Sequence, residues 1–140
     1  MTQRPRFHLA FPVNDLAEAR SFYTGLLGCP EGRSSDDWVD FDFFGHQIVA
    51  HLSPNDSGHK AHNLVDGEEV PVRHFGAILE MDQWRALAAR LKAADVRFVI
   101  APDIRFEGEP GEQATFFILD PSGNALEFKA FDDDSRIFAR

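Results

Sequence analysis

Apolar and polar residues follow an order that predicts one strand, one helix and then more strands. HLAFPV, from His8, is an apolar run typical of a strand, and in LAEARSFYTGLLG the apolar residues recur at helical spacing. Asp15 is placed to cap this helix and Gly28 to end it. The alternating segment WVDFDFF, a turn at Gly45 and the segment HQIVAHL then predict a hairpin of two strands.

The second half repeats this order from His74, which lies 66 residues after His8. HFGAIL predicts a strand, Asp82 is expected to cap the helix QWRALAARLKAADV, and RFVIAP, TFFILD and ALEFKAF predict three further strands. Both halves therefore share a βαβββ outline, which duplication explains better than chance. The segment between them, residues 54–71, is rich in turn formers and predicts an exposed linker.

Neither half is large enough to bury a sufficient core alone, so we expect a single α+β domain covering residues 1–140. Module one is expected at about 5–53, the linker at about 54–71, module two at about 72–131 and a C-terminal tail at 132–140. The hydrophobic fraction of 44% and the 14 phenylalanines are enough for one shared core.

Charge limits the classes of partner, and the cysteine content bears on the location of the protein. The formal net charge of −9 disfavours nucleic acids and anionic membranes, which require clustered lysine and arginine. No apolar run reaches the length of a transmembrane helix or of a signal-peptide core. The single Cys29 cannot form an internal disulfide, which favours a cytoplasmic location.

The segments HLAFPVNDLAEARSFYTGLLG and DPSGNALEF resemble the vicinal oxygen chelate superfamily, the glyoxalase, bleomycin-resistance and extradiol dioxygenase-like proteins. This resemblance implies that two βαβββ modules pair their mixed sheets into one curled cleft, and that the protein is a homodimer. It also implies metal ligands on the first and last strands of the modules. His8, His74 and Glu127 match three of the four customary ligand positions.

The fourth position belongs on HQIVAHL, where a simple alignment places Val49. Strand alternation turns Gln47, Val49 and His51 towards the cleft, and a register shift of two residues would make His51 the counterpart of Glu127. We therefore predict His51 as the fourth ligand and keep Gln47 as the alternative.

Imidazole and carboxylate ligands suit a divalent ion of Fe, Mn, Ni, Co or Zn and leave coordination positions open for substrate. Glu127 or His51 could act as the catalytic base, while Gln47, Arg105 and Lys129 are expected to contact the substrate. Taken singly, a histidine at a strand start is more often structural than a ligand, and Glu127 could pair with Arg105.

The resemblance implies a metal-dependent glyoxalase-like or dioxygenase-like enzyme, a lyase, isomerase or dioxygenase. It would act on a small oxygen-bearing substrate and stabilise an enolate or similar oxyanion through the metal. The alternative is a non-catalytic protein that binds an antibiotic-type small molecule in the dimer cleft. Retention of the ligand-type residues favours the enzyme.

Overall fold

The computed structural model describes residues 4–56, 61–65 and 68–139. Its contacts divide the chain into two compact units: Met1–His59 with Asp120–Asn124, and Lys60–Leu119 with Ala125–Arg140. Each unit holds a four-stranded mixed sheet, which confirms the predicted α+β class. Within the described ranges, no helix is long and apolar enough to span a membrane.

The first unit forms one sheet in the order β1-β4-β3-β2, with β1 parallel to β4 and the other pairs antiparallel. A helix follows β1 and changes from α-helical to π-helical geometry without a break. The elements are β1 (His8–Val13), α1 (Leu16–Arg20), the π-helical segment (Ser21–Leu26), β2 (Glu31–Ser34), β3 (Trp38–Phe43) and β4 (His46–Leu52).

Local chemistry explains where these elements begin and end. The Asp15 carboxylate accepts a 2.8 Å hydrogen bond from the Glu18 amide, which confirms it as the cap of α1. Gly28 follows the helix with a φ of 78°, a left-handed conformation that glycine adopts without a Cβ penalty. The strand β2 was not evident from the apolar pattern because all four of its residues are exposed, so only its pairing with β3 defines it.

The core of the first unit centres on Tyr23, whose side chain is fully buried. Its ring stacks on Phe41 with ring centroids 5.2 Å apart, and its hydroxyl donates a 2.9 Å hydrogen bond to the Asp120 carboxylate. Asp120 also accepts hydrogen bonds from the amides of Ser122 and Asn124. The Asp-Pro-Ser-Gly-Asn turn is thus packed within the first unit by a buried hydrogen-bond network.

The second unit repeats the sheet order, as β7-β10-β9-β8 with β7 parallel to β10. It also contains an antiparallel hairpin, β5-β6, within the segment where an exposed linker was expected. Its elements are β5 (Ala61–Val65), β6 (Glu68–Val72), β7 (His74–Leu79), α2 (Met81–Ala93), β8 (Phe98–Arg105), β9 (Gln113–Leu119), β10 (Ala125–Phe131) and a 3-10 turn (Asp134–Arg136).

The helix α2 covers one face of the second sheet. Its predicted apolar face is confirmed, because Trp84, Leu87, Ala88 and Leu91 are all buried, and the Trp84 indole donates to the Phe128 carbonyl at 2.9 Å. The predicted cap, Asp82, was wrong: it lies in the first turn, and the capping residue is Glu80. A glutamate is a less usual cap than an aspartate, so the sequence pattern favoured the wrong acid.

Candidate functional site

Two predicted ligands meet on the second sheet. His74 begins β7 and Glu127 lies on the adjacent, parallel strand β10, where His74 pairs with Ala125 and Gly76 with Glu127. This register turns both side chains to the sheet face that α2 does not cover. The His74 Nε2 atom lies 3.3 Å from the Glu127 Oε1 atom.

Gly76 lets the two strands come this close. A Cβ atom built at Gly76 would overlap the main-chain carbonyl of Glu127, so no other residue fits without moving β10. The HFG sequence therefore provides the ligand-type His74 and, two residues later, the space that the carboxylate-bearing strand needs.

Hydrogen bonds orient both side chains. The His74 Nδ1 atom lies 2.6 Å from the Pro71 carbonyl oxygen, which can only accept, so Nδ1 carries the proton. The Thr115 hydroxyl donates a 2.5 Å hydrogen bond to Glu127 Oε2, which turns Oε1 towards His74. Histidine ligands of metals commonly donate their second ring N–H to a carbonyl in this way, and ligand carboxylates are held by similar outer contacts.

At a separation of 3.3 Å, the two side chains need a proton or a cation shared between them. With Nδ1 protonated, a neutral His74 presents a lone pair at Nε2, and Glu127 Oε1 presents another. Two lone pairs repel at this distance unless a proton between them or a metal ion attracts both. The donor atoms are of the types that bind Fe, Mn, Co, Ni or Zn.

His74 and Glu127 line a cavity of about 670 Å³ within the second unit. This volume is in the range of small-molecule sites. Strand alternation brings the predicted substrate residues Arg105 and Lys129 into the same wall. Among the described residues, the lining comprises Val70, His74, Ile100, Asp103, Arg105, Gln113, Ala114, Thr115, Phe117, Glu127 and Lys129.

His8 has an arrangement in the first unit that parallels that of His74. Its Nδ1 lies 2.8 Å from the Gln47 amide oxygen, and the Gln47 amide nitrogen donates to Asp40 at 3.1 Å. The bond to Asp40 fixes the orientation of the amide, so Nδ1 of His8 must be the donor. Nε2 of His8 is therefore the atom suited to bind a metal.

The strand registers bear on the prediction for the fourth position, which remains untested. His8 pairs with Gln47 in the first unit as His74 pairs with Ala125 in the second, so Val49 is the counterpart of Glu127. The two-residue shift that would have brought His51 to that position is not present. His51 pairs with Trp38 and corresponds to Lys129.

His51 lies four positions after Gln47, which is about 13 Å along a strand. Gln47 is the cross-strand neighbour of His8, so this spacing argues against His8 and His51 binding one ion. Across the ranges that the structure describes, no three His, Cys, Asp or Glu side chains form a cluster able to hold a metal. The joining of His8 with His74 and Glu127 stays a prediction.

Sequence reasoning missed three contributors to the site: the Pro71 carbonyl, the Thr115 hydroxyl and the Asp103 carboxylate. Thr115 lines the cavity as the cross-strand neighbour of Lys129, and Asp103 lines it as the cross-strand neighbour of Thr115. The register between paired strands leaves no local signal in the sequence, whereas the segment DPSGNALEF pointed to Glu127 through the family resemblance.

Comparison with known proteins gives a family match over residues 7–128 to the Glyoxalase/Bleomycin resistance protein/Dioxygenase superfamily. A solved glyoxalase/bleomycin resistance protein/dioxygenase from Alicyclobacillus acidocaldarius is 37% identical, with 96% of each chain covered and a TM-score of 0.78. None of the curated proteins compared with the chain matches it.

Two solved structures of lower identity share the fold. A fosfomycin resistance protein from Listeria monocytogenes is 18% identical, with a TM-score of 0.65 over 92% of this chain and 94% of the other. A lactoylglutathione lyase from Agrobacterium tumefaciens is 16% identical, with a TM-score of 0.62 over 93% and 96%. The family match and the 37% identity show that this chain belongs to the Glyoxalase/Bleomycin resistance protein/Dioxygenase superfamily.

Proposed function

We propose that the protein is a metal-dependent enzyme that acts on a small oxygen-bearing substrate. The observation that carries the proposal is the approach of His74 Nε2 and Glu127 Oε1 to 3.3 Å, each side chain being oriented by a separate hydrogen bond. His74 and Glu127 would hold the ion, with His8 as the third ligand expected from the sequence. Membership of the superfamily supports this proposal.

A divalent ion held by these residues would supply Lewis acidity, which lowers the energy of negative charge developing on a substrate oxygen. The residues of the chain have separate roles. The Pro71 carbonyl keeps the proton on Nδ1 of His74, so that the lone pair of Nε2 remains available to bind a metal ion. Thr115 holds Oε2 of Glu127 and leaves Oε1 directed at the site. Phe117 contributes an apolar wall, and its ring meets that of His74 edge to face at 4.9 Å between centroids.

Glu127 could also accept a substrate proton once its carboxylate loosens from the ion. Its side chain retains 17% exposure on the cavity side, so a substrate can reach the carboxylate. Cleavage of a C–H bond next to a carbonyl needs both a base and stabilisation of the resulting oxyanion. We therefore favour a glyoxalase-like isomerase or lyase that shifts a proton, with oxygen-dependent ring cleavage as the second possibility.

Metal content is the direct test. Protein purified without a histidine tag should bind one divalent ion per chain, measured by elemental analysis after loading and desalting. His74→Ala and Glu127→Ala should each lower this stoichiometry to near zero. His46→Ala is the matched control, because its ring is exposed and accepts from the Phe7 amide instead.

Two further variants test the remaining ligands. His8→Ala should also lose the ion, whereas His51→Ala should retain it, because His51 corresponds to Lys129 and not to Glu127. Full metal content in His74→Ala and Glu127→Ala would refute the proposed centre. Small-molecule binding by metal-free protein would support the non-catalytic alternative, and oxygen uptake during turnover would support the dioxygenase.

A further inference from the structure

The cavity extends past His74 and Glu127 along β10 to Lys129. Because side chains alternate along a strand, Lys129 shares the cavity face with Glu127, two residues away. Its cross-strand neighbour on β9 is Thr115, the residue that orients the Glu127 carboxylate. The lysine and the proposed metal centre therefore belong to one continuous wall.

The Lys129 ammonium has no carboxylate partner within the part of the chain that the structure describes. The side chain is half-buried and its ammonium lies 5.5 Å from the centroid of the Phe131 ring. A cation in a concave and partly apolar setting is less well hydrated than one on an open surface, so it gains more from binding an anion.

Charges along the lining favour an anion over a cation once a metal is bound. Among the lining residues that the structure describes, the carboxylates of Asp103 and Glu127 are matched by the cations of Arg105 and Lys129, so this part of the lining is close to neutral. A divalent ion would then leave two positive charges without compensation. This local balance contrasts with the net charge of −9 of the whole chain, which does not describe the cavity.

We propose that Lys129 binds a carboxylate of the substrate while the other end of the substrate reaches the centre at His74 and Glu127. The inference rests on the proposed metal centre. Lys129 and Glu127 are separated by about 7 Å along the strand, so a short spacer joins the two ends of the substrate. Asp103, which neighbours Thr115 from the β8 side, would repel the carboxylate and directs it towards Lys129.

A matched pair of hydroxamates tests this assignment. Both probes present the same two-oxygen metal-binding group, but one, N-hydroxysuccinamic acid, ends in a carboxylate and the other ends in the corresponding neutral amide. Cobalt-loaded protein should bind the acid about tenfold or more tightly than the amide, since a charge-assisted hydrogen bond contributes at least this much. Calorimetry or the visible spectrum of the cobalt ion gives both dissociation constants.

The variant Lys129→Met removes the ammonium and keeps much of the side-chain length. It should lose most of the preference for the acid, with an unchanged affinity for the amide and an unchanged cobalt content. Lys92→Met is the matched control, because this lysine lies exposed in the last turn of α2 and its substitution changes the net charge equally. It should keep the full preference for the acid.

The outcomes distinguish failure of the carboxylate subsite at Lys129 from failure of the metal centre at His74 and Glu127. Wild-type protein that takes up no cobalt refutes the metal centre and the carboxylate subsite together. Cobalt uptake with equal affinities for acid and amide refutes the subsite alone. A preference that survives in Lys129→Met but disappears in Arg105→Met would also refute the assignment to Lys129.

Discussion

Replacing Tyr23 with phenylalanine should destabilise the protein by about 2 kcal/mol. The change removes the hydroxyl that donates to Asp120 at 2.9 Å and keeps the ring that stacks on Phe41. A hydrogen bond to a charged group contributes about 1.5–3 kcal/mol. Asp120 keeps its other donors from Ser122 and Asn124, so the loss should stay within this range.

Urea unfolding at neutral pH, followed by tryptophan fluorescence, measures the free energy of unfolding. Thr24→Val is a suitable control, because the Thr24 hydroxyl donates to the uncharged Cys29 carbonyl at 2.7 Å. That change should cost only about 1 kcal/mol. A loss below about 0.5 kcal/mol in Tyr23→Phe would show that the buried Asp120 gains nothing from the tyrosine, contrary to the magnitude expected for a charged acceptor.

Alkaline pH gives a second measure of the same contact. Burial first, and then the charge of Asp120, raise the pKa of Tyr23 well above its ordinary value of 10.0. Above pH 10.0 the unfolded chain releases the tyrosine proton while the folded chain keeps it. The free energy of unfolding should therefore fall as pH rises through this range. Tyr23→Phe should lack this part of the fall. Tyr23 is the single tyrosine of the chain, so tyrosinate absorbance reports on it alone.

Three further substitutions test the parts of the candidate site. Gly76→Ala should prevent metal binding or folding, because its Cβ would overlap the facing strand, whereas Gly25→Ala, with nothing within 4 Å of the new Cβ, should preserve both the metal content and the melting temperature. Thr115→Val should weaken metal affinity about 10- to 100-fold in a chelator competition, as expected for loss of an outer contact; unchanged affinity would contradict that role. Gln47→Leu should weaken it similarly by releasing the His8 ring, and nitrogen NMR shifts of His8 should then show a mixture of tautomers.

Much of the fold could be predicted from the sequence, because local patterns specify its main elements. The cap at Asp15, the helix stop at Gly28 and the apolar face around Trp84 are each encoded by neighbouring residues, and each is confirmed. The β5-β6 hairpin could not be predicted in the same way, because its segment is polar and rich in turn formers. Its strands are defined by main-chain pairing, for which side-chain type is a weak guide.

The candidate site was predicted only in part for a related reason. The family resemblance of HLAFPVNDLAEARSFYTGLLG and DPSGNALEF identified His74 and Glu127 as ligand positions, and the structure brings these two together. The choice between Val49 and His51 depended on the register of β4 against β1. A shift of two residues keeps the same side chains on the same face of the strand, so the apolar pattern does not distinguish the two registers. The contacts of Pro71 with His74 and of Thr115 with Glu127 likewise depend on how the strands pair, which the sequence pattern does not show.

The placement of the Asp120–Asn124 turn within the first unit has a consequence for how the chain is made. During synthesis, all strands of the first sheet emerge long before the acid that satisfies the Tyr23 hydroxyl. A nascent chain halted before residue 120 would enclose a polar group without its acceptor, at a cost of about 1–3 kcal/mol. Splitting the gene between its two repeats should therefore yield an amino-terminal fragment that folds poorly until the other fragment is supplied.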